Sequence, residues 1–298
     1  MPAANTSDLV QFVRLPALTP ADWPEGLTLE QAWHLDPGNS AFSGFSAMVS
    51  ESGGFRAISD FGGTAVIPRP TTGQKLVPVT PLPAIRELAA TPDAEAALYD
   101  AASDTLWVSY EHHNAIRRIS GDGRYAFVRP LALRQLGANS GIEAMARLPG
   151  GEFLMLAERS GEGFLFAGDP VESDVVTRFR VQAPPDFLPT DMALLPDGRV
   201  LVLLRKLTWG FPPFASMLAV GDPADIHEGE TWQLTPVATI DGQDLRENYE
   251  GLAVEPGDDG ALTLWLISDS NRSVLQRTLL LKLRWQTKTA REGNLREP

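Results

Sequence analysis

The chain has 298 residues, 43% of them hydrophobic, which is enough for a sizeable core. Its 25 Lys and Arg stand against 38 Asp and Glu, a formal net charge of −13. That balance excludes the basic footprint of a nucleic-acid binder and opposes adhesion to anionic membranes, while the absence of cysteine excludes disulfides, thiolate nucleophiles and cysteine-ligated zinc.

In chain order, residues 1–26 read as a loosely ordered N-terminal segment without a charged and then apolar leader, so no signal peptide is visible. No apolar run reaches the length of a membrane span. Thr28 to Leu35 reads as a strand that can pair with Thr278 to Trp285 near the other end. Between them, five segments align: Phe42–Asp60, Asp93–Glu111, Asn139–Glu158, Pro189–Lys206 and Asn248–Asp269. Each has a leading polar residue, a short apolar strand, a turn rich in Gly, Asp or Ser, and a second apolar strand with a charged residue at its end. Two antiparallel strands joined by a tight turn bring the leading and trailing residues to one edge.

Successive segments recur at roughly fifty residues, with room for two further strands each, as in a four-stranded propeller blade. Ala115–Ile119 and Tyr125–Val128 are two such strands. Helical signal is confined to Pro83–Ala90 and Leu131–Leu136. The expected fold is all-β: a single β-propeller over residues 1–298, with five four-stranded blades around a central channel and six blades as the alternative. A polar tail follows from 286, and the expected state is a monomer.

The leading positions are Ser43, Glu95, Glu143, Asp191 and Glu250; the trailing ones are Asp60, Glu111, Glu158, Arg205 and Asp269. Collected at one mouth of a channel, eight carboxylates against one arginine would raise one another's pKa unless a cation intervenes. The candidate cations are Arg159, Arg205, Lys206 and Arg272, or a divalent metal. Oxygen ligands favour calcium or magnesium over zinc. The plainer role for such acids is to tie neighbouring backbone N–H groups together. His112 beside Glu111 is a further acid–base candidate, and as strand neighbours His112 and His113 would face opposite ways. An aromatic, Pro-stiffened loop from Thr208 to Phe214 follows Arg205 and Lys206 and leaves the same rim, where it can pack on the neighbouring blade or cover the mouth.

FSGFSAM with ISDFGG, DAEAALYD with VSYE, NSGIEAMARLPGGEF with LAE, PTDMALLPDGRVLVLLR, and NYEGLAVEP with LISDSNRSVLQRTLLLKLRW together resemble the phytase-like family described as having esterase-like activity. The resemblance spans Phe42 to Trp285. It implies a β-propeller and, by analogy with the true β-propeller phytases, calcium-dependent phosphoester hydrolysis, in a family whose members are often exported. Glu143-Ala144-Met145 departs from the family's usual Glu-Gly-Leu, and the basic residues at the motif ends are few for a polyphosphorylated substrate.

The expected roles follow. Asp60, Glu95, Glu143, Asp191 and Glu250 hold calcium or a similar divalent cation. Glu111, Glu158 and Asp269 complete the shell or activate water. Arg159, Arg205, Lys206, Asn271 and Arg272 hold a small anionic or ester substrate. The competing readings are a non-catalytic propeller that binds a small ligand or a protein, and a lactonase-like propeller. No G-x-S-x-G elbow, H-E-x-x-H motif, P-loop or D-x-D-x-D-G loop is present, so hydrolysis would rest on water activated by a carboxylate-held metal.

Overall fold

A computed structural model describes residues 6–38, 41–83, 92–137, 140–242 and 244–286. The chain is all-β. Its first strands are β1 (Thr6–Leu15), β2 (Leu27–Pro37), β3 (Phe45–Glu51), β4 (Gly54–Ser59), β5 (Gly63–Pro68) and β6 (Gly73–Pro81). Next come β7 (Ala94–Asp100), β8 (Thr105–Tyr110), β9 (Ala115–Ser120) and β10 (Tyr125–Val128). The third group is β11 (Ile142–Arg147), β12 (Phe153–Ala157), β13 (Glu162–Phe166) and β14 (Val176–Gln182). The fourth is β15 (Leu188–Leu194), β16 (Val200–Leu207), β17 (Phe214–Gly221), β18 (Thr231–Gln233) and β19 (Thr235–Ile240). The last strands are β20 (Asn248–Pro256), β21 (Leu262–Asp269) and β22 (Leu279–Trp285).

Consecutive strands pair antiparallel by tight turns, giving the sheets β10-β9-β8-β7, β11-β12-β13-β14-β18 and β15-β16-β17-β19, in which only β18 joins in parallel. The remaining strands form one nine-stranded sheet, β20-β21-β22-β2-β1-β6-β5-β4-β3. The expected closure is present: β2 pairs with β22 from Leu27↔Trp285 to His34↔Leu279. Within the expected N-terminal segment, Thr6–Leu15 forms β1, which is hydrogen-bonded on both sides, to β2 and to β6. Its alternation of exposed and buried residues puts Val10 and Phe12 in the core. Only a 3₁₀ turn, Leu133–Gln135, forms within the predicted helical stretch Leu131–Leu136. The other such stretch, from 84 onward, lies outside the described residues, as do positions 287–298 of the tail.

The burial pattern explains the strand sequences. Strands β8 (TLWVSY) and β12 (FLMLA) are buried at every position because a sheet packs on each face. The outer strand β6 alternates instead, with Val77 and Val79 inward and Leu76, Pro78 and Thr80 outward. Of five apolar clusters among the described residues, four join one sheet to a neighbour and one lies within the nine-stranded sheet. One sets Trp107 and Ile116 against Met155 and Phe164; another sets Leu154 and Phe179 against Val202 and Ala219. A third sets Phe55 and Ala57 against Trp265 and Ile267 within the nine-stranded sheet. Burying one such side chain fully is worth about 1.5–3 kcal/mol. The first strand of each repeat is innermost, and these strands neighbour one another in a cycle: β3 with β7, β7 with β11, β11 with β15, β15 with β20, and β20 with β3. The arrangement is propeller-like. Gly251 lies where β20 meets β3, and a Cβ there would sit 2.6 Å from Ile267 Cγ2 and 2.8 Å from Met48 Cβ.

Candidate functional site

The register aligns the repeats. Ser59, Tyr110, Ala157, Leu204 and Ser268 pair with Phe45, Ala94, Ile142, Pro189 and Tyr249, and the next residue in each case is Asp60, Glu111, Glu158, Arg205 or Asp269. All five predicted trailing positions are therefore equivalent and lie at the same end of the inner strands. Every inner strand also breaks register beside them, between Phe45 and Ala47, Ala94 and Ala97, Ile142 and Ala144, Pro189 and Asp191, and Tyr249 and Gly251. The bulged residues are Ser46, Glu95 with Ala96, Glu143, Thr190 and Glu250. A β-bulge re-aims a side chain out of the pleat. This corrects two of the predicted leading positions, from Ser43 to Ser46 and from Asp191 to Thr190.

The bulged hydroxyls tie adjacent inner strands: Ser46 Oγ donates to Ala94 O at 2.5 Å and Thr190 Oγ1 to Tyr249 O at 3.1 Å. Ser109 Oγ adds a bond to Ile142 O at 2.7 Å. Asp191 belongs to this framework too. It is 2% exposed, and its carboxylate accepts Met192 N–H at 2.8 Å and Leu252 N–H at 2.6 Å. Burial raises its pKa against those two bonds, and none of the mouth acids acts on it. The structure thus separates Asp191 from the other predicted metal ligands.

Arg205 is the internal counterion. Its Nη2 meets Glu158 Oε1 at 2.7 Å, while Nη1 meets Glu250 Oε1 at 2.7 Å and Asn248 Oδ1 at 2.8 Å. Asn248 Nδ2 also donates to Glu250 Oε1 at 2.8 Å. Burial opposes the charge of Arg205, but Glu250, Glu158 and Glu143 outweigh it and raise its pKa. Three of its N–H donors are thus engaged by Glu158, Glu250 and Asn248. Lys206, next along the strand, points to the opposite face and sits 4.5 Å above the Phe187 ring. Arg159 pairs with Glu158 at 2.9 Å.

Asp269 accepts Asn271 N–H at 2.8 Å, and Asn271 Nδ2 donates to Gln276 Oε1 at 2.8 Å, so Asn271 shapes the loop. Arg272 stacks on Phe61, 3.2 Å from the ring centroid, and no carboxylate pairs with it among the described residues. Both Asn271 and Arg272 have positive φ, 49° and 51°, an uncommon backbone for residues with side chains. Gly44 makes room for this corner, since a Cβ there would lie 2.5 Å from Asp60 Oδ1.

The unneutralised charge collects on the other side. Glu111, Glu143 and Glu158 each present an oxygen within 4.8 Å of the others. Glu143 is 9% exposed, and no hydrogen-bond donor meets its carboxylate among the described residues. Burial pushes it well above the ordinary glutamate range, with Glu158, Glu250 and Glu111 adding and Arg205 opposing. Glu95 is raised likewise by burial, then by Glu143 and Glu250. Glu111 is raised by burial, partly offset by the 3.3 Å bond from Gly141 N–H. Burial and Glu250 bring Asp60 to about 7 and Asp269 to about 8. A second group, Asp93, Glu111 and His112, shares Glu111, and the His112 Nδ1 contacts Asp93. His112 and His113 lie in the turn between β8 and β9 rather than in a strand.

The residues fit a hard divalent cation. Three carboxylate oxygens converge, one of the acids is buried without a donor, and the group is all-oxygen. Sequence reasoning missed Asp93, Asn248 and Phe61. Asp93 and Asn248 share a signal, each lying two positions before a leading Glu, opposite the trailing acid.

Fold and site together define an all-β, propeller-like protein with a buried carboxylate cluster at one end of its inner strands. The family model described as "Phytase-like: Esterase-like activity of phytase" matches residues 40–272, and the chain belongs to that family. No curated protein matches the chain. Among solved structures, a luciferin-regenerating enzyme is similar at 8% identity and a TM-score of 0.47, over 94% of this chain and 95% of that one. A streptogramin B lyase is similar at 11% identity and 0.44, over 87% and 98%. A putative 6-phosphogluconolactonase from Bacteroides uniformis is similar at 15% and 0.39, over 91% and 82%. Likeness at this level does not carry function across.

Proposed function

We propose that the chain is a five-bladed β-propeller whose acidic mouth binds a divalent cation, calcium by preference, and hydrolyses phosphoesters or related esters. The blade count is supported by the cycle of five inner strands and by the five equivalent trailing residues. The observation that carries the site reading is Glu143: buried, without a hydrogen-bond donor among the described residues, and with an oxygen within 4.8 Å of those of Glu111 and Glu158. Glu111, Glu143 and Glu158 hold the cation, and Glu95 and Glu250 flank it. Such an ion, when bound, polarises an ester oxygen and makes water a better nucleophile.

The chain's own groups have separate tasks. Arg205 fixes Glu158 and Glu250 in place, so the cation meets a preset carboxylate geometry. Asp269, whose pKa is raised by burial and by Glu250, serves as a proton donor toward a leaving oxygen. Arg272, stacked on Phe61, presents its in-plane N–H groups to an anionic substrate group. Family membership supports the ester chemistry.

The test is calcium titration calorimetry on chelator-treated protein, beside Glu143→Gln, followed by hydrolysis of chromogenic aryl phosphates and aryl esters with and without chelator. Binding that the variant loses, with chelator-sensitive turnover, is the expected result. A native protein that takes up no divalent cation would end the hydrolase reading.

A further inference from the structure

Two loops at the mouth carry apolar side chains that the fold leaves uncovered. Trp209 and Val274 are both 100% exposed, and Leu207, Phe211 and Leu275 are exposed with them. The first loop leaves β16 just after Arg205; the second leaves β21 just after Asp269. Both therefore rise from the trailing positions at the mouth. Residues 244–247 bridge them: Arg246 Nη1 reaches Trp209 O at 3.5 Å, and Arg277 reaches Asp244 O at 3.1 Å and Glu247 at 2.8 Å. The two loops are thereby linked along one side of the mouth.

The tips are held outward by the backbone. Thr208 N–H bonds Pro213 O at 2.9 Å, closing the first loop, and the second is pinned by Ser273 N–H to Ser270 O at 2.8 Å and Gln276 N–H to Ser273 O at 3.2 Å. Trp209 is fully exposed to solvent and is not packed on a neighbouring blade. Fully exposed tips make a convex surface, and a small molecule needs a concave one. An apolar, convex rim suits insertion into a soft apolar medium.

The charges narrow the occupant. Around the two loops, Arg246, Arg272 and Arg277 are set against Asp241, Asp244 and Glu247, a balanced mixture on a chain of net charge −13. Headgroups with both phosphate and ammonium match that mixture, whereas an anionic surface would be repelled by the rest of the molecule. We propose that this rim docks peripherally on a zwitterionic lipid surface. Trp209, Phe211, Val274 and Leu275 enter the interface, and Arg246 sits at phosphate level beside them. The docking stands on the exposed rim and does not depend on hydrolysis at the mouth.

The test is co-sedimentation of the full chain with phosphatidylcholine vesicles, carried out in chelator so that no cation site enters the result. The comparison is a Trp209→Ser, Val274→Ser double variant, whose changes touch no packed residue and should leave the melting temperature unchanged. Native protein should partition to vesicles, and the variant should bind at least about tenfold more weakly, given the apolar area removed. Native protein that stays in the supernatant, or a variant that binds as well as native, would overturn the proposal. So would light scattering that shows a native dimer split by the variant, because a second copy would then be what covers the rim. Calcium uptake by the same variant should be unchanged, so a failed docking test leaves the cation reading to be judged separately.

Discussion

Replacing Glu143 by glutamine should move stability and cation binding in opposite directions. At an effective dielectric of ~20, two unit charges 4.8 Å apart repel by about 3 kcal/mol, and Glu143 has Glu111 and Glu158 at or within that range. The folded protein limits this repulsion by retaining protons, so the cost grows with pH. An acid whose pKa is raised on folding binds more protons folded than unfolded; its contribution is most favourable below the ordinary carboxylate range and declines as pH rises through the folded value. Chelator-treated Glu143→Gln should therefore gain about 1–3 kcal/mol over native near pH 8 and almost nothing near pH 5. At about 2–4 °C per kcal/mol, the gain near pH 8 is a rise of roughly 5 °C in melting temperature. Calcium at a hundred times its Kd should stabilise native protein by about 2.7 kcal/mol and the variant far less. Scanning calorimetry at both pH values, with chelator and with calcium, reads all four quantities. A variant that is less stable than native in chelator, yet shifts normally with calcium, would refute the reasoning and make Glu143 a structural residue.

Arg205→Ala strands Glu158 and Glu250 and should cost about 3–5 kcal/mol near pH 8, less in acid, measured by urea unfolding; Arg205→Lys should not restore it, because one ammonium cannot match the forked contacts. Asp191→Asn can accept only one of its two backbone bonds and should destabilise by about 1–3 kcal/mol, while calorimetry finds calcium affinity unchanged. Chelator-treated native protein should lose melting temperature between about pH 5 and pH 9, in the range set by Asp60 near 7 and Asp269 near 8. Gly251→Ala places a Cβ 2.8 Å from Met48 Cβ and 2.9 Å from Met48 N, backbone that cannot easily yield, and should cost about 1–3 kcal/mol in the same unfolding assay.

The trailing residues were legible because an apolar strand ends sharply, and Asp60, Glu111, Glu158, Arg205 and Asp269 each mark that end. The leading residues were only partly so. A search for acids finds Glu95, Glu143 and Glu250, but in two repeats the bulge carries Ser46 or Thr190, whose hydroxyls bind carbonyls of the next inner strand. Such partners lie in another repeat, and no pattern within one segment reveals them. The neutralisation of Arg205 was hidden for the same reason, since its partners Glu158 and Asn248 come from different sheets. The direction of Lys206 could have been read, because neighbours in a strand face opposite ways.

The pairing of β2 with β22 has a bearing on how the protein is made. β2 precedes every repeat in the chain, yet its hydrogen-bonding partner is the last strand described, about 250 residues later. During synthesis the intervening sheets can each form from neighbouring segments as they emerge, but β2 must wait with an edge unpaired until the final strand arrives. Unpaired edges invite the wrong partner. The ribosome-bound chain is therefore most exposed to misassociation in the interval before its closing strand is released, and a chaperone that shields β2 would act there.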